Sequence, residues 1–181
     1  MAERVFATKG YVASSVRDIA EEAGILSGSL YHHFTSKDDM LAELLQDYLT
    51  ELYSRYVAAS EIEDSAAALR GLIRVGYQSI ADHHHIASIL HNDYSYLRAN
   101  PNFEFVHQYY RDVRTLWLTV IERGQQTGVL RDNFDVFDSY RVIMGGILSA
   151  SRWFTPGREA DFENLMEMAS TIYLEGLSRR T

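Results

Sequence analysis

Proline occurs at only two positions, Pro101 and Pro156, and between these breaks apolar residues recur three and four apart. Proline locks φ and removes a backbone donor, so its scarcity leaves long helices uninterrupted. The stripe is cleanest over about 103–127, where Val106, Tyr109, Tyr110, Val113, Leu116, Trp117, Val120 and Ile121 share one face. Comparable stripes run over about 37–58, 65–82, 86–98, 135–154 and 159–178. No stretch alternates apolar and polar residues as a strand does, and no segment repeats. With three short helices at the front, the pattern predicts an all-α chain of about nine helices, three in front and six behind.

Nearly half of the 181 residues are hydrophobic, ample for a packed core. The chain has no cysteine, which excludes disulfides and thiolate metal sites and fits a reducing, cytoplasmic setting. No apolar run approaches the ~18 residues of a membrane span, and no signal peptide opens the sequence. A formal net charge of −8 argues against a protein that coats nucleic acid without specificity. It leaves specific DNA binding open, because charge need be favourable only locally.

Residues 14–37 depart from that acidic background. Ser14 or Ser15 suits an N-cap, with Asp18 placed to reach back. Val16, Ile19, Ala20 and Ala23 form an apolar face, and Gly24 supplies the positive φ of a helix end. A second short helix is expected over about 27–34, anchored by Leu30 and Phe34. Residues 23–37 contain no Asp or Glu and one cation, Lys37, for a local charge of +1. The outward groups are short hydrogen-bonding side chains, as a helix in the DNA major groove needs.

Val16-Arg17-Asp18-Ile19-Ala20, Ala23-Gly24 and Gly28-Ser29-Leu30-Tyr31-His32-His33-Phe34 with Ser36-Lys37 resemble the helix-turn-helix of the TetR family of bacterial transcriptional regulators. More narrowly, Ile25–Phe34 resembles the actinobacterial subgroup linked to steroid and lipid catabolism, some of whose members respond to CoA thioesters. The resemblance implies a DNA-binding head, residues 1–38, followed by a helical ligand-binding and dimerisation domain, residues 39–181. In that family the first helix is longer and follows a basic arm, so the expectation here is either an incomplete N-terminus or a true absence of the arm. The DNA-binding residues expected are Ser15, Arg17, Ser27, Gly28, Ser29, Tyr31, His32, His33 and Lys37. Tyr31 and Lys37 are assigned to phosphates, and Ser27, Ser29 and His32 to bases. Gly28 permits close backbone approach, and His33 either reaches DNA or hydrogen-bonds within the motif.

Behind the head, tyrosines and tryptophans recur with their polar tips, a composition that suits an amphipathic ligand. Tyr77, His91, Tyr94, Tyr110, Arg114, Trp117, Met144 and Leu148 are the expected ligand contacts, with Arg114 meeting an anionic group. The last two helices, with Gly145, Gly146, Ser149 and Ala150, are expected to form a homodimer interface. The function implied is a ligand-responsive repressor released from a palindromic operator by a small hydrophobic or acyl-CoA-like effector. No cofactor, metal, catalytic residue or membrane partner is expected. The run His83-His84-His85, with His91, is the one feature favouring a metal-dependent enzyme, but adjacent helical residues do not share a face. A helical acyl-CoA or lipid carrier is the other alternative.

Overall fold

The computed structural model describes residues 1–154 and 159–178. Those residues form ten α-helices: α1 (Ala2–Lys9), α2 (Val16–Ala23), α3 (Ser27–Tyr31), α4 (Lys37–Ser60), α5 (Ser65–Asp82), α6 (His84–Asn92), α7 (Tyr94–Ala99), α8 (Glu104–Gln126), α9 (Val136–Trp153) and α10 (Glu159–Leu177). A 3-10 turn, Pro101–Phe103, precedes α8. Among the described residues no strand occurs, only an isolated bridge between Leu130 and Ser178. The expected break at Pro156-Gly157 lies outside the described residues.

Local chemistry starts several helices. The Asp64 carboxylate accepts from the Ala67 amide at 2.7 Å to open α5, and Asp135 accepts from the Asp138 amide at 2.9 Å to open α9. Ten helices replace nine because the segment expected over 86–98 is two. It breaks at Asp93, whose backbone sits at φ −99°, ψ 13° and whose carboxylate accepts from the Tyr11 amide at 3.5 Å.

The chain divides into two compact units, Met1–Thr50 with His85–Gln108, and Glu51–His84 with Tyr109–Thr181. This partition differs from a boundary at residue 38, because α6 and α7 group with the head. In the first unit Phe6, Tyr11, Leu41, Leu45, Leu97 and Phe103 are fully buried. In the second, Leu69, Leu72, Ile73, Trp117 and Ile121 form the core, and α5 packs on both α9 and α10. α4 and α8 each contribute residues to both units. Among the described residues no helix is long and apolar enough to cross a membrane.

The small residues of α9 divide by direction. Gly146 lies directly beneath the Tyr173 hydroxyl of α10, and Ala150 is fully buried, so both serve contacts within the chain. A Cβ on Gly145 would meet open space. Gly146→Ala is therefore expected to lower the unfolding free energy by about 1–3 kcal/mol through overpacking. Adding Tyr173→Phe should recover most of that loss, as denaturant melts of the two variants will test.

Candidate nucleic-acid interface

Ser15 opens α2 from an extended backbone at φ −129°, ψ 160°. Its hydroxyl accepts from the Asp18 amide at 3.2 Å and donates to the Asp18 carboxylate at 2.8 Å. That carboxylate also accepts from the Ser15 amide at 2.7 Å, closing the capping box. Lys9 of α1 donates to Asp18 at 2.6 Å. The Lys9 bond first, then the bonds from Ser15, hold the Asp18 pKa at about 2. Gly24 ends α2 at φ 66°, ψ 29°. A Cβ there would meet nothing, so the left-handed backbone, not space, requires glycine.

α3 is shorter than expected. Its helix stops at Tyr31, and the amides of His33 and Phe34 both turn back to the Leu30 carbonyl, at 3.0 and 2.9 Å. Leu30 and Phe34 are half-buried rather than full core anchors. Gly28, Ser29, Tyr31, His32 and His33 are exposed and Ser27 is half-buried, so six expected DNA contacts fall on one short segment. Ser15 and Arg17 are exposed on α2. Arg17 pairs with Glu21 at 3.0 Å, with both side chains open to solvent. Such a pair is worth a few tenths of a kcal/mol, about what an exposed i,i+4 pair supplies, so it yields readily to a phosphate.

Lys37 is placed otherwise than its assignment to a phosphate. Its ammonium donates to the carbonyls of Tyr11 and Ser14, each at 2.7 Å, and sits 4.4 Å from the centroid of the Tyr11 ring. The charge thus braces the turn between α1 and α2. Ser36 caps the start of α4, its hydroxyl accepting from the Asp39 amide at 3.0 Å. The reciprocal bond goes elsewhere, with the Asp39 carboxylate accepting from the Thr35 amide at 2.9 Å.

The neighbouring Asp38 is a residue the motif does not advertise. Its carboxylate accepts from the Tyr11 hydroxyl, from the Tyr96 hydroxyl at 2.9 Å and from the Asn100 side-chain Nδ2 at 2.7 Å. Asn100 also donates to the Tyr96 hydroxyl at 3.0 Å. Burial works to raise the Asp38 pKa, but donors from Tyr11, Tyr96, Asn100 and Asn102 outweigh it and hold the pKa below the ordinary range. Burial, then the hydrogen bond to Asp38 and its charge, pushes the Tyr11 phenol far upward. Tyr11 itself is fully buried, whereas Val12 beside it is exposed.

The expected ligand contacts divide between the units. His91 and Tyr94 belong to the first, and Tyr94 is exposed and stands edge-on to His107. Tyr77, Tyr110, Arg114, Trp117, Met144 and Leu148 belong to the second. Trp117 is fully buried between Tyr56 and Tyr140, each ring centroid 6.2 Å away, and its indole N–H meets no protein acceptor. Tyr77 is buried against Phe162, and burial with a hydrogen bond to Tyr173 raises its pKa. Arg114 is exposed near enough to Tyr140 to oppose the upward push of burial on that phenol. Tyr110 and Met144 are half-buried, and Leu148 is exposed. His83 caps α5 and His84 begins α6, and among the described residues no group of three or more His, Asp or Glu is arranged to hold a metal.

Two family profiles match this chain: bacterial regulatory proteins of the tetR family over residues 1–44, and the tetracyclin repressor-like C-terminal domain over residues 62–177. The chain is 36% identical over 180 residues to the HTH-type transcriptional repressor KstR2 of Rhodococcus jostii strain RHA1, covering 98% of this chain and 88% of that protein. The solved structure of the ketosteroid transcriptional regulator KstR2 of Mycobacterium tuberculosis superposes with a TM-score of 0.94 at 33% identity, over 99% of this chain and 92% of that one. AibR, solved with isovaleryl coenzyme A and operator DNA, shares the fold at a TM-score of 0.79 and 18% identity, over 92% of each chain.

Removing one donor from Asp38 is expected to cost about 1.5–3 kcal/mol, the scale of a hydrogen bond to a charged group. Tyr96→Phe should lose that much at neutral pH in urea melts. Because the folded pKa of Asp38 is depressed, its contribution is complete above the ordinary 3.8 and is lost as pH falls through the lower native value. The Tyr96→Phe deficit should therefore shrink when the melts are repeated in acid.

Proposed function

This chain belongs to the TetR family of bacterial regulatory proteins, and from that premise we propose that it is a repressor released from a palindromic operator by an acyl-CoA-like effector. It is a DNA-binding transcriptional regulator and not an enzyme, which sets aside the metal-enzyme reading of His83–His85. Regulators of this family bind operator DNA and small effectors and act as dimers.

The observation that carries the DNA reading is the acid-free, exposed stretch around α3 on a chain of net charge −8. In this reading α3 enters the major groove. Ser27, Ser29 and His32 address base edges, while Tyr31, Arg17 and Ser15 touch the backbone. Gly28, with nothing near its missing Cβ, lets the main chain approach closely. His33 stands with the exposed group and is assigned to DNA. Lys37 contributes indirectly by fixing the turn that carries Ser15. One five-residue helix reads too few bases, and a two-fold partner doubles the contacts over two half-sites.

We assign the dimer contact to α9 and α10. Val142 and Gly145 line one exposed edge with the half-buried Ser149 beside them, and Met168, Ile172 and Gly176 line another, with Val142 and Ile172 left 67% and 59% exposed. The effector is a hydrophobic acid carried as a CoA thioester. Support comes from the ketosteroid regulator and the isovaleryl coenzyme A complex among the similar structures. Further support is the buried Trp117 indole, which an acceptor on the ligand would satisfy. Tyr77, Tyr110 and Met144 complete that wall, Arg114 meets the anionic part, and Leu148 is assigned to the outer portion of the ligand. Effector binding shifts a population and must favour one state over the other. α4, with residues in both units, is the element assigned to move. The setting is the cytoplasm, where operator and CoA thioesters meet.

A footprint on the DNA upstream of the gene tests the reading. Binding should weaken steeply with salt, and Arg17→Ala should lower the log–log salt slope by about 0.9 for each lost phosphate contact. Ile172→Glu should give monomers in sedimentation and lose the footprint. Absence of any specific, salt-sensitive complex overturns the proposal.

A further inference from the structure

Leu26 is the most exposed large apolar side chain among the described residues, at 80%. A single exposed leucine is unremarkable by itself. This one occupies the N-cap of α3, at φ −75°, ψ 139°, and makes no capping hydrogen bond. Serine, threonine, aspartate and asparagine are strongly preferred at that position because their oxygens accept from the first helical amides. The same chain uses Ser15, Asp64 and Asp135 for that purpose at α2, α5 and α9, each with a capping bond. At α3 a local rule is broken, and the side chain that breaks it packs on little within the protomer. Such breaches concentrate at functional positions.

We propose that Leu26 reads the 5-methyl group of a thymine, so that it sets the base preference at one position of each operator half-site. The inference rests on α3 entering the major groove, as proposed above. Recognition helices address base edges with their N-terminal residues, and Leu26 stands at that end of α3. The groove floor is otherwise a pattern of hydrogen-bond donors and acceptors, and the thymine methyl is its apolar feature. A leucine has no polar atom to read the remainder. The residues that follow, Ser27, Gly28 and Ser29, are all short, so the longer Leu26 side chain reaches past them. The Leu26 carbonyl accepts from the Ser29 amide at 2.9 Å, which fixes the backbone from which that side chain projects.

The test uses the full-length protein and the footprinted operator duplex. Each symmetric pair of thymines is replaced in turn by deoxyuridine, which removes only the methyl group. Affinities are measured for the wild type, Leu26→Ala and Leu26→Met. At one thymine pair the wild type should weaken about fourfold per half-site, the equivalent of ~0.8 kcal/mol for one buried carbon. Leu26→Ala should be insensitive at that pair, and Leu26→Met should retain the dependence. Unchanged melting of Leu26→Ala will show that the head is intact. A normal footprint with no thymine whose methyl matters, or with equal effects in wild type and Leu26→Ala, overturns the assignment of Leu26 alone. Loss of any footprint overturns the groove reading and this inference together.

Discussion

One carboxylate organises the head. Asp38 gathers the hydroxyls of Tyr11 and Tyr96 and the amide of Asn100, groups drawn from the α1–α2 turn, α7 and the turn that follows it. Beside it Lys37 collects two carbonyls of the α1–α2 turn. A cation and an anion adjacent in sequence therefore clamp the same turn from two directions, the cation through its carbonyls and the anion through its phenol. α2 begins immediately after that turn, so the orientation of the motif depends on this pair.

The cluster also explains the grouping of the chain. Residues 85–108 lie with the head rather than with the neighbouring helices in sequence. Tyr96 and Asn100 tie them to the start of α4, and Asp93 ties them to the backbone of Tyr11. The aromatic contacts follow the same line, with Phe6, Tyr11, Tyr96 and Phe103 in successive ring contact at 5.1, 5.1 and 6.1 Å between centroids. Polar and apolar contacts thus bind the same elements, and neither set has to supply the packing alone.

The parts legible in the sequence are those decided by near neighbours. Ser15 and Asp18 are three residues apart and form the cap expected of them, and Gly24 adopts the positive φ its place demands. Helix limits follow from stripes and breakers, so α5 matches its expected span. Asp38 was not legible as a hub, because its partners lie 27, 58 and 62 residues away. Lys37 shows the same limit from the other side. Its charge defines what it can bind, but only the fold decides that carbonyls of the α1–α2 turn reach it first. The break at Asp93 and the inward direction of Gly146 likewise depend on residues distant in the chain, Tyr11 and Tyr173.

The brevity of α3 has its own consequence. It holds five residues and none of them is buried. Its conformation is imposed by Gly24, by the returning amides of His33 and Phe34, and by the scaffold around it. The residues that face outward therefore contribute little to folding and are nearly independent of it. Such a segment can exchange its outward side chains while its frame stays intact, so diversification there need not begin with a loss of stability.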